Sequence, residues 1–288
     1  MMLGCDDCDA DGGPRSLSDG TEGGIIIPRR PAIRAAIPEE HFDDRTDRGY
    51  RHRGRVDGDL ICRPERGGPF PVVLLLMDAP GIREELRDMA RRLGTVGYYV
   101  LLPNLYYRAG RDTIFGPDVL EQDSAERERM RAVRTKMTIP PVLEDVAALL
   151  AFADGQRDAR PGPAGAHGYC MSGPYALAAA ARYPDRIAAA ASFYGTWLVS
   201  DAEESPHLSL SKVKGELYIA CAEHDDLAPL TMVEELRGLF RPAETAGEIE
   251  LYLGVHHGFA FPQRWCYDKP AGERHWERLI DLYRRRLG

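Results

Sequence analysis

From about Arg51 to its C-terminus the sequence alternates short apolar runs with helix-periodic stretches, and few architectures accept that rhythm. Val72 to Met77 is a continuous branched-chain and leucine run, which suits a strand buried on both faces better than one with a wet side. After it, Leu86, Met89, Ala90 and Leu93 fall at the spacing of a single buried helix face. Further strands are expected at Gly97 to Pro103, Ala164 to Tyr169, Ile187 to Tyr194, Glu216 to Cys221 and Ile249 to Leu253. Helices are expected around Leu143 to Leu150, Met171 to Arg182 and Leu230 to Phe240, with a last one carrying Trp276, Leu279, Ile280 and Tyr283 on one face. The pattern predicts an α/β domain over residues 51–288, a mostly parallel central sheet with helices on both faces. Gly54 to Cys62 reads as two short strands around the turn signal Asp57-Gly58.

One junction in this series carries chemistry. The strand ending at His167-Gly168-Tyr169 runs through Cys170 into Met171-Ser172-Gly173 and an alanine-rich helix. A nucleophile on so sharp a strand-to-helix turn needs small residues two positions before and after it, and Gly168 and Ser172 supply them. The Met171 N–H then points from the first helical turn toward a developing oxyanion, and the positive helix end favours the thiolate of Cys170. Ser172 as nucleophile would be flanked by Cys170 and Pro174, which breaks the spacing.

An acid and a histidine should follow in that order, each just beyond a later strand. The loop Ala222-Glu223-His224-Asp225-Asp226 leaves one such strand and Gly254-Val255-His256-His257-Gly258-Phe259 leaves the next. Each loop holds two candidates, and spacing alone does not choose between them. A zinc site from His224, Asp225 and His256 lacks recognised ligand spacing, and Cys5-x-x-Cys8 is half a site without a second pair, so no metal is expected.

Charge and hydropathy narrow the functional classes. With 45 acidic against 37 basic residues the net charge is −8, which argues against nucleic-acid binding, and the longest apolar runs are far too short to span a membrane. Residues 1–50 hold 11 acidic and 6 basic residues, so −5 of that charge sits in a Gly-, Arg- and Pro-rich segment read as a flexible or surface-lying tail. Its start has neither a basic nor an apolar signal region, and six cysteines in a chain of this length do not form a disulfide framework, so a reducing cytoplasm is expected. The charged stretch from Arg108 to Met137 reads as a solvated helix in preference to a substrate-contacting flap.

From about Gly54 onward the chain resembles the dienelactone hydrolase family of the α/β-hydrolase superfamily. The resemblance rests on Leu76-Met77-Asp78-Ala79-Pro80-Gly81, Leu102-Pro103-Asn104-Leu105-Tyr106, Gly168-Tyr169-Cys170-Met171-Ser172-Gly173 and the two later loops. It implies an α/β-hydrolase fold and selects Asp225, four residues before Pro229, and His257, followed by Gly258 and Phe259, as partners of Cys170. It further implies an oxyanion donor at the Ala79 N–H, an auxiliary acid at Asp78 where the family's type member has glutamate, and a substrate pocket touching Tyr169 and Phe261. Phe261 stands where the type member has a carboxylate-binding arginine, so the resemblance implies a preference for neutral, apolar substrates, with Arg131, Arg134 and Arg264 as cations of unassigned position.

The expected chemistry is hydrolysis of a small-molecule ester or lactone through an acyl-thioester, without a cofactor. Acyl transfer with the same residues, or a catalytically silent binding protein on this scaffold, are the alternatives.

Overall fold

The computed structural model describes residues 51–288 apart from 53, 54, 57–59, 111, 112, 114 and 244. Expectations for the tail at residues 1–50, for Cys5 and Cys8, and for the Asp57-Gly58 turn lie outside the described residues.

Nine strands are present among them: β1 (Arg51–His52), β2 (Arg55–Val56), β3 (Leu60–Cys62), β4 (Phe70–Leu76), β5 (Tyr99–Leu102), β6 (Ala159–Tyr169), β7 (Ile187–Phe193), β8 (Glu216–His224) and β9 (Gly247–His256). Strands β1 and β2 make an antiparallel pair of their own, and the other seven form one sheet in the order β3-β5-β4-β6-β7-β8-β9. Only β3 runs antiparallel to its neighbour, β5. Two short strands, β2 and β3, lie on either side of residues 57–58; β2 pairs with β1 while β3 joins the large sheet. Three apolar residues, Leu60-Ile61-Cys62, give β3 a reason to seek the sheet edge.

Six helices accompany the sheet: α1 (Glu84–Val96), α2 (Ala125–Arg134), α3 (Ile139–Asp154), α4 (Gly173–Arg182), α5 (Leu230–Phe240) and α6 (Lys269–Leu287). On β6, Gly165 and His167 face Tyr283 of α6 while Tyr169 faces His275. The alternate residue Gly168 meets Ser172 at the other face. Helix α1 joins α6, with Arg92 stacked 4.5 Å above the Trp276 ring, and α3 packs with α4. Every residue of β4 after Phe70 is buried, as its uninterrupted apolar run requires. Losing one such leucine side chain would cost about 2–5 kcal/mol.

Short connections return each helix to the sheet at a fixed point. Gly97 ends α1 in the left-handed region at φ 116° and donates to the Gly94 carbonyl, a conformation that favours glycine. Strand β5 starts two residues later, so its C-terminal end falls beside those of β4 and β6. All the parallel strands end on the same side, and that side is where the next side chains gather.

Candidate active site

Cys170 sits on the turn between β6 and α4 with φ 55°, in the left-handed region that a side chain rarely occupies. The neighbours that enforce this turn are legible. A Cβ on Gly168 would fall 2.2 Å from the Ser172 carbonyl oxygen, and one on Gly173 would fall 2.3 Å from Ser192 Oγ. Ser172 Oγ donates to the Leu76 carbonyl at 2.9 Å and accepts from the Tyr169 N–H at 3.0 Å, which ties the turn to the end of β4. Beneath it, the Tyr169 hydroxyl meets His275 Nε2 at 2.7 Å. Both His275 and its neighbour His167 are held neutral, their pKa pushed down to about 3 by burial.

Asp225 and His257 come from the ends of β8 and β9. Asp225 Oδ1 accepts from the N–H groups of Leu227 at 2.9 Å and Ala228 at 3.1 Å, which folds the loop onto its own carboxylate. Its other oxygen is left for His257 Nδ1, 2.7 Å away. Asp226 and His256, the competing residues, are both exposed, and the His256 ring lies between His224 at 5.0 Å and Trp265 at 5.2 Å.

His257 Nε2 is buried, and no hydrogen-bond partner meets it in ideal geometry. Cys170 lines the same cavity and is the largest of the influences that raise the imidazole pKa. Burial lowers the imidazole pKa, but the negative field of Cys170 and the bond to Asp225 outweigh that and raise it to about 10. The edge of the Tyr194 ring, 5.0 Å from the imidazole, closes the site from β7. Tyr194 itself has φ 40°, and sequence periodicity gave no sign of it because it reads as the last apolar residue of a strand.

Asp78 caps no helix, since α1 begins at Glu84. Its buried carboxylate is clamped by Arg83, 2.6 Å from Oδ1, and by Arg264. The Arg83 guanidinium also binds Glu85, whose other oxygen accepts from the Gln263 N–H at 2.8 Å, so an ionic cluster locks the Ala79 loop to the His257 loop. Tyr106 strengthens the same loop by donating to the Ala79 carbonyl at 2.7 Å.

Tyr169 and Phe261 are fully buried and neither lines the cavity above Cys170. Phe261 stacks under two guanidinium groups, Arg83 at 4.6 Å and Arg264 at 4.8 Å, and meets the Tyr169 ring edge-on at 5.1 Å. The cavity itself is about 300 Å³ and is lined by Ala79, Cys170 and His257, with Trp265 and Leu227 at its rim. Arg127, Arg131 and Arg134 of α2 and Arg264 line it as well. The charged stretch read as a solvated helix is thus the cavity wall. Its Met130 is buried, which anchors a helix whose charged residues otherwise look fit only for water.

No helix among the described residues is long and apolar enough to cross a membrane, and no group of three or more His, Cys, Asp or Glu side chains among them is arranged to hold a metal ion.

A sheet ending in a strained strand-to-helix turn, with an acid and a histidine delivered by its last two strands, defines an α/β-hydrolase. Residues 58–287 match the model of the dienelactone hydrolase family, and the chain belongs to that family. It is with that a hydrolase of esters or lactones. Among its relatives, a protein of Synechocystis provisionally named a carboxymethylenebutenolidase is 26% identical over 79% of this chain and 91% of its own. One of Methylorubrum extorquens with the same provisional name is 28% identical over 77% and 74%. Among solved structures, a Klebsiella pneumoniae protein provisionally titled a dienelactone hydrolase superposes with a TM-score of 0.72 at 23% identity, covering 82% of this chain and 96% of its own. A dienelactone hydrolase-like promiscuous phosphotriesterase from metagenomic libraries gives 0.66 at 19% identity, covering 84% and 97%.

Proposed function

We propose that the chain is a cysteine-dependent hydrolase that cleaves small esters or lactones bearing a carboxylate, with Cys170 as nucleophile, His257 as base and acid, and Asp225 orienting the histidine. The observation that carries this reading is the convergence, on one cavity, of a strained cysteine, a histidine paired to an aspartate at 2.7 Å, and four arginines.

The Cys170 thiolate attacks the carbonyl carbon, and the π pair moves onto oxygen, where the N–H groups of Ala79 and Met171 receive it. Collapse of the adduct expels the alkoxide, which takes the proton from His257 and leaves an acyl-thioester. In a lactone the released hydroxyl stays tethered to the acyl group. Water then gives a proton to His257 as its oxygen attacks the thioester, and the thiolate departs. Asp225 keeps the imidazole in the tautomer whose Nε2 faces the sulfur and stabilises its charge at both steps.

Electrostatics argue for an anionic substrate. Arg264 is offset by Asp78, and Arg131 meets Glu128 at the surface, but Arg134 forms no salt bridge among the described residues and rests on the Trp197 ring at 4.9 Å. A carboxylate entering this cavity finds guanidinium donors to replace its lost hydration. The preference for neutral substrates expected from Phe261 has no support in its position, because that ring never reaches the cavity.

Turnover of aryl esters and of dienelactone by wild type and Cys170→Ala tests the proposal. Loss of both activities in a folded variant is expected, and unchanged turnover would overturn it.

A further inference from the structure

A second cavity, about 350 Å³, adjoins the first and has no part in the chemistry described so far. Met137, Ile139, Pro174, Tyr175 and Trp197 give it apolar walls. Two features join it to the reacting centre: Arg134 borders both cavities, and Met171, the residue after Cys170, lines the second. Beyond it a third hollow of about 440 Å³ shares Ile139, Glu204 and Ser205 with the second.

The loop after β7 contributes Trp197 to the second cavity. Trp197 has φ 52° and is 48% exposed, a costly placement for a large indole in a backbone region that bulky residues rarely hold. One residue earlier, the Thr196 N–H donates to the Cys170 carbonyl at 3.2 Å, which fixes the loop against the nucleophile itself. An exposed aromatic face held rigidly beside a reacting centre is what a flat or branched apolar group would stack upon.

Mechanism assigns which half of the substrate goes there. His257 borders the first cavity and not the second. The leaving oxygen must meet His257 to take its proton, so the alcohol portion belongs in the first cavity. The acyl portion stays on the Cys170 sulfur and departs from the carbonyl on the opposite side, toward Met171.

We infer that the second cavity is an acyl subsite that binds an aromatic or branched apolar group of the acyl chain against Trp197. This rests on the cysteine-hydrolase reading above. The substrate class is thereby an ester whose acyl chain is longer than a lactone of minimal size needs, with a carboxylate and an apolar body recognised in adjoining cavities.

The test compares kcat/KM for p-nitrophenyl acetate and p-nitrophenyl phenylpropionate in wild type, Trp197→Ala and Ala202→Trp, the last filling the cavity from its exposed rim. Wild type should favour the phenylpropionate ester by about tenfold or more, the worth of burying a phenyl ring. That ratio should fall by about tenfold in both variants, through KM for the longer ester, with melting temperatures confirming that each is folded. An equal ratio in all three folded proteins would overturn the subsite while leaving the hydrolase reading intact. Turnover that survives Cys170→Ala would instead overturn the cysteine-nucleophile reading and the subsite with it, and no turnover of either ester by wild type would overturn the subsite.

Discussion

The floor and the wall of the active cavity are built by opposite means. Its floor, the ends of β4, β6, β8 and β9, is buried and tied down by Ser172, Tyr169 and the Asp78 cluster. Its wall, α2, is a charged helix that touches the core chiefly through Met130. A reacting sulfur must be held to within fractions of an ångström, whereas selecting a substrate needs only charge and shape nearby. On the proposed reading the chemistry lies in the rigid part and the choice of substrate in the polar part, so variants of the two should fail differently.

The largest effect should follow removal of the sulfur. Cys170→Ala is expected to lower kcat by about 10⁴-fold or more with little change in melting temperature, because alanine still fits the turn. Residual turnover near wild type would place the nucleophile elsewhere. Next, Asp225→Asn should lose about 10²-fold to 10⁴-fold in kcat, while Asp226→Asn, whose side chain is exposed, stays near wild type. Kinetics of His257→Ala against His256→Ala should rank the same way. The reverse order in either pair would break the assignment of the floor.

Phe261→Arg probes the boundary between the two regions. It places a third guanidinium between Arg83 and Arg264 in a fully buried position, so the expected result is a loss of about 3–5 kcal/mol of stability by denaturant unfolding. Improved handling of carboxylate substrates in a stable variant would show instead that the ring has access to the cavity. On the wall, Arg131→Ala combined with Arg134→Ala should raise KM for a carboxylate ester by about tenfold or more and leave kcat for a neutral ester nearly unchanged.

The smallest effect is a titration. With Cys170 as its main raising partner, the His257 pKa near 10 should fall in Cys170→Ala, followed by NMR of the imidazole resonances. A raised folded-state pKa means that the bound proton stabilises the fold. That contribution is fully present below the ordinary value of 6.5 and is lost as pH rises toward about 10. An unshifted titration in the variant would separate His257 from Cys170.

The strand and helix series was legible because burial imposes its own period: the run from Val72 to Met77 and the face of Leu86, Met89, Ala90 and Leu93 have no other good use. Cys170 was legible because Gly168 and Ser172 are needed for steric reasons local to one turn. Spacing alone narrowed Asp225 and His257 only to pairs of neighbours and the family resemblance chose between them; in the fold the Asp225 carboxylate accepts from the Leu227 and Ala228 N–H groups and faces His257. Likewise the charged stretch at 125–134 looked like a solvated surface, since a helix read alone gives no sign of what faces it. Its arginines line the cavity because Met130 docks on the core, and Phe261 is covered by Arg83 and Arg264 instead of lining it. Local sterics and periodicity travel along the chain, so the sequence by itself determined the sheet and the turn that carries Cys170. Contacts between residues far apart in sequence depend on how the elements pack, and tertiary structure alone decided which charges face the sulfur.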